Sequence, residues 1–179
     1  MSFFQEHQTT CTMGRLYRLS SGDGISNLKD YFQGMANQPF LSESAKTAFS
    51  SILSQADETF SNIMATFKEP LLPWLNPVVD ASTAGDDFLL TDLRKKKMTI
   101  YIGIQPNKLA ESRLIINLFF SQLINQNTKE LPQNNPNLKH QCLLLMDEFT
   151  SLGPIDILAK SVSYMAGYNL RLFPIIQSI

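Results

Sequence analysis

The sequence lacks the patterns that would mark a phosphate-binding loop, a metal cluster or a disulfide framework. No GxxxxGK[ST] occurs in it, and SGDGISNLKD (21–30) has glycines but follows no predicted strand, so we reject it as such a loop. Cys11 and Cys142 form no CxxC pair and are expected to be reduced thiols. His7 and His140 stand apart, so the sequence predicts no histidine-based metal cluster.

The chain also lacks an excess of one charge and a long hydrophobic run. With 15 basic and 16 acidic residues its net charge is −1, which excludes a strongly basic surface over the whole chain but leaves a local patch open. The longest apolar patch, LIINLFFSQLI (114–124), is too short to cross a bilayer, and MSFFQEHQTT lacks the features of a signal peptide. We therefore expect this chain alone to be soluble and cytoplasmic, without a transmembrane segment.

The first half of the chain shows a helical pattern. Between Ser42 and Phe67 apolar residues recur every three or four positions, which predicts one helix or two in series with Ser42 as the N-cap. Pro70 and Pro73 end the pattern because proline cannot continue a helix interior. A shorter helix is predicted over about 24–36, and PWLNPVVDASTAGDD (73–87) is interpreted as a connector. We expect the aromatic residues of this half, Phe49, Phe60, Phe67 and Trp74, to pack in the core, although Trp74 could instead be an exposed anchor for a partner.

The second half alternates between strand and helix patterns. This βαβαβ order predicts a parallel sheet, and the continuous apolar run before Asp147 predicts a strand covered on both faces. RKKK (94–97) is interpreted as a solvated basic helix end, with contact to DNA phosphates as the alternative. The predicted strands are 98–104, 141–147 and 171–178, the last weakened by Pro174, and the predicted helices are 110–128 and 155–168.

Two adjacent acids follow the central strand of this pattern. CLLLMDEFTSLG (142–153) places Asp147 and Glu148 where a buried strand ends, and Gln177 ends the next strand. Functional residues of open parallel sheets gather at the carboxyl ends of strands. There the first acid could hold Mg²⁺ through its water shell, and the second could polarise an attacking water beside a γ-phosphate. A strand that simply leaves the core for solvent, and a loop-capping role for Gln177, are the alternatives.

The acidic motif CLLLMDEFTSLG, together with AGYNLR and IIQS, resembles the TraG/TraD-type coupling proteins of conjugation and type IV secretion. The resemblance runs along essentially the whole chain. It implies a RecA/FtsK-like motor ATPase with an all-α insertion. By it, residues 1–90 are the all-α subdomain, with 1–14 as a leading segment. Residues 91–179 are a partial RecA-like nucleotide-binding core, which makes the chain an α/β fragment.

The resemblance also assigns candidate site residues. Asp147 and Glu148 match the Walker B acids, so Asp147 would bind Mg-ATP through water, and Glu148 with Gln177 would be catalytic. Some relatives carry an arginine finger in the helix before the last strand, but SYMAGY has no arginine. Arg171 is the nearest candidate for that contact, and anchoring a loop is its alternative role. Because no phosphate loop faces these acids, we expect the chain alone to be inactive and to bind no Mg-ATP tightly.

Three hypotheses follow for function. In the first, the intact parent is a hexamer anchored at the cytoplasmic face of the bacterial inner membrane. It uses ATP to deliver relaxase-bound DNA or effector proteins to the secretion channel, with direct DNA contact left open. In the second, the chain is a non-catalytic adaptor whose all-α part binds relaxosome or effector proteins. In the third, it is an inactive remnant with an uncovered, aggregation-prone sheet edge.

Overall fold

A computed structural model describes residues 10–25, 27–147 and 153–176 of the chain. It is an α/β structure, rich in helix and with one small parallel sheet. The chain divides into two compact units, with the boundary between Asp86 and Asp87. Unit 1, before the boundary, contains helices and turns, and unit 2, after it, contains the sheet.

Four of the five α-helices that the structure describes in unit 1 begin at polar side-chain caps, whereas the helix that begins at Asp57 follows Ala56 and has none. The Ser42 hydroxyl accepts a hydrogen bond from the Ala45 N–H at 3.3 Å, which confirms the predicted N-cap. Asn76 accepts from the Val78 N–H at 3.0 Å, and Pro77 follows it in the first helical position, where a missing N–H has no cost. The α-helices are α1 (Met13–Ser20), α2 (Leu28–Ala36), α3 (Glu43–Leu53), α4 (Asp57–Lys68) and α5 (Pro77–Ser82), with 3₁₀ segments at Gly22–Gly24 and Glu69–Leu75.

The helical pattern between Ser42 and Phe67 is two helices in series, which is one of the two predicted arrangements. The chain leaves helical geometry at Ala56 before Asp57 and Glu58 begin α4. The 73–87 connector was wrong in part, because the Asn76–Pro77 capping pair starts α5 within it.

The aromatic residues of unit 1 are buried to different extents. Phe60 is 4% exposed and Trp74 5%, and the Trp74 indole N–H donates to the Thr83 hydroxyl at 2.8 Å. The prediction that Trp74 packs in the core is therefore confirmed. Phe67 is 45% exposed, so the prediction that it is core was wrong. Phe67 lies near the C-terminal end of α4. In the 3₁₀ segment that follows, Leu71 is the buried apolar residue.

Unit 2 places one long helix and one short helix beside two parallel strands. Strand β1 (Cys142–Met146) pairs with β2 (Leu170–Pro174), in a register that sets Leu144 opposite Leu172. The core combines inward strand residues with the buried stripe of the long helix, including Ile116, Phe120 and Ile124. The helices are α6 (Leu109–Asn127) and α7 (Asp156–Ser161), with 3₁₀ segments at Leu90–Asp92, Pro106–Lys108, Pro132–Asn134 and Met165–Tyr168.

The predicted first strand, 98–104, is not a strand in the structure. Met98, Ile100 and Ile104 pack against the core of unit 2, while Tyr101 is 91% exposed, so the apolar pattern is real. A strand needs a hydrogen-bonded neighbour, and the described residues offer none to this segment. Within the described residues the sheet therefore has two strands instead of the predicted three.

The prediction that β1 is covered on both faces was also wrong. Its burial alternates, with Cys142, Leu144 and Met146 buried, whereas Leu143 and Leu145 are 58% and 60% exposed. The helices of unit 2 pack on one face only. A continuous apolar run cannot distinguish these two cases because its outward residues are as apolar as its inward ones.

In unit 2, the long helix has nearly the predicted boundaries, whereas the second predicted helix does not. Helix α6 matches the predicted 110–128 within a residue. The predicted helix 155–168 is shorter, since α7 ends at Ser161 and the chain continues through turns to Asn169 at φ 60°. Among the described residues, no helix is long and apolar enough to cross a membrane.

Candidate functional site

The first predicted site residue, Asp147, is the residue immediately after β1. It is exposed, while Met146 before it is 3% exposed, so the chain passes from core to solvent at this bond. Glu148 and Gln177 lie outside the described residues, and their catalytic roles stay predictions.

The carboxyl ends of the two strands lie side by side. Met146 is in register with Pro174, and the Ile175 N–H donates to the Met146 carbonyl at 2.9 Å, which continues the pairing past the end of β2. Adjacent strands are about 4.8 Å apart. Asp147 and the segment that leads to Gln177 therefore leave the sheet at the same edge, as the prediction of a shared site requires.

The opposite end of the strand pair is held by Arg94. Its side chain is 3% exposed and donates to the Asn127 side-chain oxygen at 3.3 Å and to the Glu130 and Tyr168 carbonyls at 3.1 Å. Its own carbonyl accepts from the His140 N–H at 3.0 Å. One residue thus connects the C-terminal end of α6 to the starts of both strands.

Arg94 also corrects the interpretation of the basic run. Lys95, Lys96 and Lys97 are exposed, as predicted, but Arg94 is buried and no helix is present at 94–97. Burial lowers the pKa of the Arg94 guanidinium, and the Glu130 carboxylate opposes that shift. A basic run is normally solvated, so the run itself predicts exposure. The signal for burial of Arg94 is its position next to the apolar Leu93.

Cys142 begins β1 in the same buried region. Burial raises the pKa of its thiol, and the positive charge of Arg94 acts in the opposite direction. Cys142 and Cys11 are both free thiols in the structure, and Cys142 is the buried one. We conclude that Cys142 serves as a small apolar core residue.

Arg171 lies on β2 opposite Leu143, at the start of the strand pair. It is exposed, on the sheet face away from the helices. Asp147 is four residues beyond Leu143, or roughly 13 Å along the strand at about 3.3 Å per residue. The structure therefore does not bring the predicted arginine contact to the Asp147 edge within this chain.

Comparison with known proteins identifies the family. The profile for type IV secretory system conjugative DNA transfer proteins matches residues 4–179. The chain belongs to this family.

Individual members of the family are similar over shorter stretches. Protein VirD4 of Rhizobium radiobacter is 36% identical over 106 residues, which cover 59% of this chain and 15% of that protein. Protein VirD4 of Agrobacterium fabrum is 34% identical over 106 residues, covering 59% of this chain and 16% of that protein. A conjugal transfer protein TraG of Escherichia coli is 26% identical over 149 residues, which cover 80% of this chain and 23% of that protein. The chain thus spans less than a quarter of the length of these relatives.

The Asp147 carboxylate at the carboxyl edge is a hard oxygen donor of the kind that Mg²⁺ prefers. The described residues bring no three histidine, cysteine or acidic side chains together. Mg²⁺ needs no such cage, because it keeps several waters and is commonly held by one or two carboxylates plus the phosphates of a substrate. An exposed Asp147 at the strand end suits that mode of binding. In this family member, Asp147 is the described residue that could hold the ion.

Proposed function

We propose that this chain forms part of the ATP-hydrolysing core of a conjugative coupling protein. The observation that carries the proposal is the exposed Asp147 at the end of a parallel strand, beside the chain that leads from Ile175 to Gln177. In a RecA-like core, Asp147 would hold Mg-ATP through water, Glu148 would activate the attacking water, and Gln177 would orient it. The likeness to VirD4 and TraG supports this assignment.

The proposal extends to the longer protein that the relatives suggest. ATP hydrolysis would drive relaxase-bound DNA or effector proteins toward a secretion channel from the cytoplasmic face of the inner membrane, with the motor acting as a hexamer. Family membership implies relaxosome and secretion-system partners in general.

The test uses ATP turnover by a purified protein that unites this chain with a phosphate loop. Glu148→Gln should lower turnover at least about a hundredfold while leaving Mg-ATP binding in place, since a general base contributes roughly 10²–10⁴ in rate. Asp147→Asn should weaken Mg-ATP binding itself. Full turnover by Glu148→Gln would refute the assignment.

This chain alone should not hydrolyse ATP. No phosphate loop is present in its sequence to position the triphosphate opposite Asp147. ATP turnover by the purified chain that Glu148→Gln abolishes would contradict this expectation and would show that another part of the chain positions the phosphates.

A second candidate function, a protein-binding adaptor, is supported by a pocket in unit 1. The pocket has a volume of about 320 Å³ and is lined almost entirely by apolar side chains, including Phe32, Phe49, Met64 and Phe67. Ile63 and Phe67 line it and are 38% and 45% exposed, so it opens to solvent. Apolar pockets of about 300–1,000 Å³ are typical of binding sites. The proposed occupant is an apolar segment of a relaxosome or effector protein.

A pulldown of relaxase and its accessory proteins tests the adaptor. Phe67→Glu should abolish capture by placing a charge in the pocket, whereas Val78→Glu, at a residue that is 74% exposed and does not line it, should have no effect. Capture that is equal for both variants would refute this site.

A further inference from the structure

The long helix of unit 2 carries an arginine at the Asp147 end of the sheet. Helix α6 buries Ile116, Phe120 and Asn127 along one stripe, and Arg113 lies one turn before Ile116 on that stripe. Arg113 therefore extends the face of α6 that packs on the sheet. Unlike the rest of the stripe, its side chain is exposed.

The orientation of α6 sets Arg113 level with Asp147. The C-terminal end of α6 lies at the start of the strands, because Arg94 bonds both Asn127 and the Tyr168 carbonyl. The distance along the axis of α6 from Asn127 back to Arg113 is roughly 21 Å, at 1.5 Å per helical residue. The distance along β1 from the residue before the strand forward to Asp147 is roughly 20 Å, at about 3.3 Å per strand residue. The two side chains thus begin at the same height above the start of the sheet.

Gly153 shows what holds the arginine in place. A Cβ atom built on Gly153 would lie 2.9 Å from Cζ, Nε and Nη2 of Arg113 alike, so the flat face of the guanidinium covers this glycine. Gly153 also has φ 71°, a conformation that favours glycine. The glycine therefore provides the space into which the guanidinium fits, just after the segment that begins with Asp147 and Glu148.

The described residues leave the N–H donors of this guanidinium without a protein partner. Among the described residues none accepts a hydrogen bond from it or forms an ion pair with it. The nearby acid of α6, Glu111, is paired with Lys108 at 3.1 Å. A guanidinium has five N–H donors in a planar fork that suits the oxygens of phosphate. Here one face of the guanidinium lies against Gly153, and the side chain is exposed to solvent.

We propose that Arg113 is an anion-binding residue of this edge, which presents its N–H fork to the phosphate oxygens of a polyphosphate ligand. The inference rests on the proposed function, because the polyphosphate is that of the nucleotide whose Mg²⁺ Asp147 would hold. It assigns the positive charge at this edge to α6, whereas Arg171 lies at the other end of the strand pair.

The probe is inorganic triphosphate, titrated into the full chain with and without Mg²⁺, while the side-chain Nε–H signals of the arginines are followed by NMR. Arg113 should show a saturable shift in the millimolar range. Arg113→Met should weaken binding by about tenfold to a hundredfold, since it removes one charge-assisted contact. Arg113→Lys, which keeps the charge but loses the fork, should weaken it less. Lys129→Met removes the same charge beyond the opposite end of α6 and should change nothing.

A second variant tests the packing on Gly153. Gly153→Ala keeps Arg113 but forces the guanidinium away from its position, so it should move the Arg113 signal without ligand and weaken triphosphate binding. Circular dichroism confirms that each variant is folded. Triphosphate affinity that is unchanged in both Arg113→Met and Gly153→Ala would overturn the inference. So would an Arg113 shift that appears with a single-stranded DNA oligonucleotide and not with triphosphate.

Asp147→Asn separates this inference from the proposed function. If it removes the Mg²⁺ dependence of triphosphate binding while Arg113→Met has no effect, the magnesium site stands and the inference is wrong. If Arg113→Met weakens binding and Asp147→Asn leaves the Mg²⁺ dependence intact, the inference stands and the magnesium site is wrong.

Discussion

At the scale of single residues, two arginines lie at the two ends of the strand pair in unit 2. Arg94 is buried and bonded at the start of the strands, whereas Arg113 is exposed and packed on Gly153 at their end. Neither position could be identified from charge alone. The interaction partners of Arg94 are backbone carbonyls and an amide, which carry no signature in the sequence.

Replacement of Arg94 should destabilise unit 2. Arg94→Ala leaves the Asn127 side-chain oxygen and the Tyr168 carbonyl without their donor. The free energy of unfolding, measured in urea, should therefore fall by about 2–4 kcal/mol. Arg94→Lys should recover part of this loss. Lys95→Ala, at the exposed neighbour, should stay within about 0.5 kcal/mol of the wild type. Equal effects at positions 94 and 95 would contradict the role of Arg94.

The two thiols should differ in reactivity. At pH 8, dithiobis-nitrobenzoate should modify the exposed Cys11 quickly and Cys142 only after unfolding, because burial raises the pKa of Cys142. The stability that depends on a neutral Cys142 is present below the unfolded pKa of about 8.5 and is lost as pH rises through the higher folded value. A Cys11→Ser chain that reacts quickly in the folded state would contradict this.

At the scale of elements, the sequence identified those whose periodicity is strong and local. Helix α6 and the Ser42 cap were predicted correctly because their signals lie within a few turns of chain. Segment 98–104 has the composition of a strand, but whether it pairs depends on a neighbour that its own residues do not specify. In the candidate site, the position of Asp147 at a strand end could be predicted because it follows an apolar run. The Arg113–Gly153 contact could not be predicted, because it depends on tertiary structure.

The alternation along β1 predicts unequal effects of neighbouring leucines. Leu144→Ala should cost about 2–5 kcal/mol because Leu144 is buried against the helices. Leu145→Ala, at a residue that is 60% exposed, should cost less than about 1 kcal/mol in the same urea titration. Equal losses at the two positions would show that a second layer covers the outer face of the sheet in solution.

At the scale of the whole molecule, the two units each carry their own apolar core. Trp74, the single tryptophan of the chain, is buried in unit 1, whereas the core formed by α6, α7 and the strands lies in unit 2. Tryptophan fluorescence therefore reports on unit 1. Amide hydrogen exchange along β1 and α6 reports on unit 2.

Separate cores predict separate responses to a mutation. Arg94→Ala should accelerate hydrogen exchange in β1 and α6 and lower the urea midpoint of unit 2, because its lost hydrogen bonds all lie there. The Trp74 fluorescence midpoint should stay unchanged, since the partners of Arg94 among the described residues all belong to unit 2. The matched change, Trp74→Phe followed by hydrogen exchange, should affect unit 1 alone through the lost bond to Thr83. The contrary result is that Arg94→Ala lowers the urea midpoint of the Trp74 transition by as much as it lowers the midpoint of unit 2. That result would mean that the two units unfold together. The adaptor and nucleotide-binding roles could then not be separated by dividing the chain.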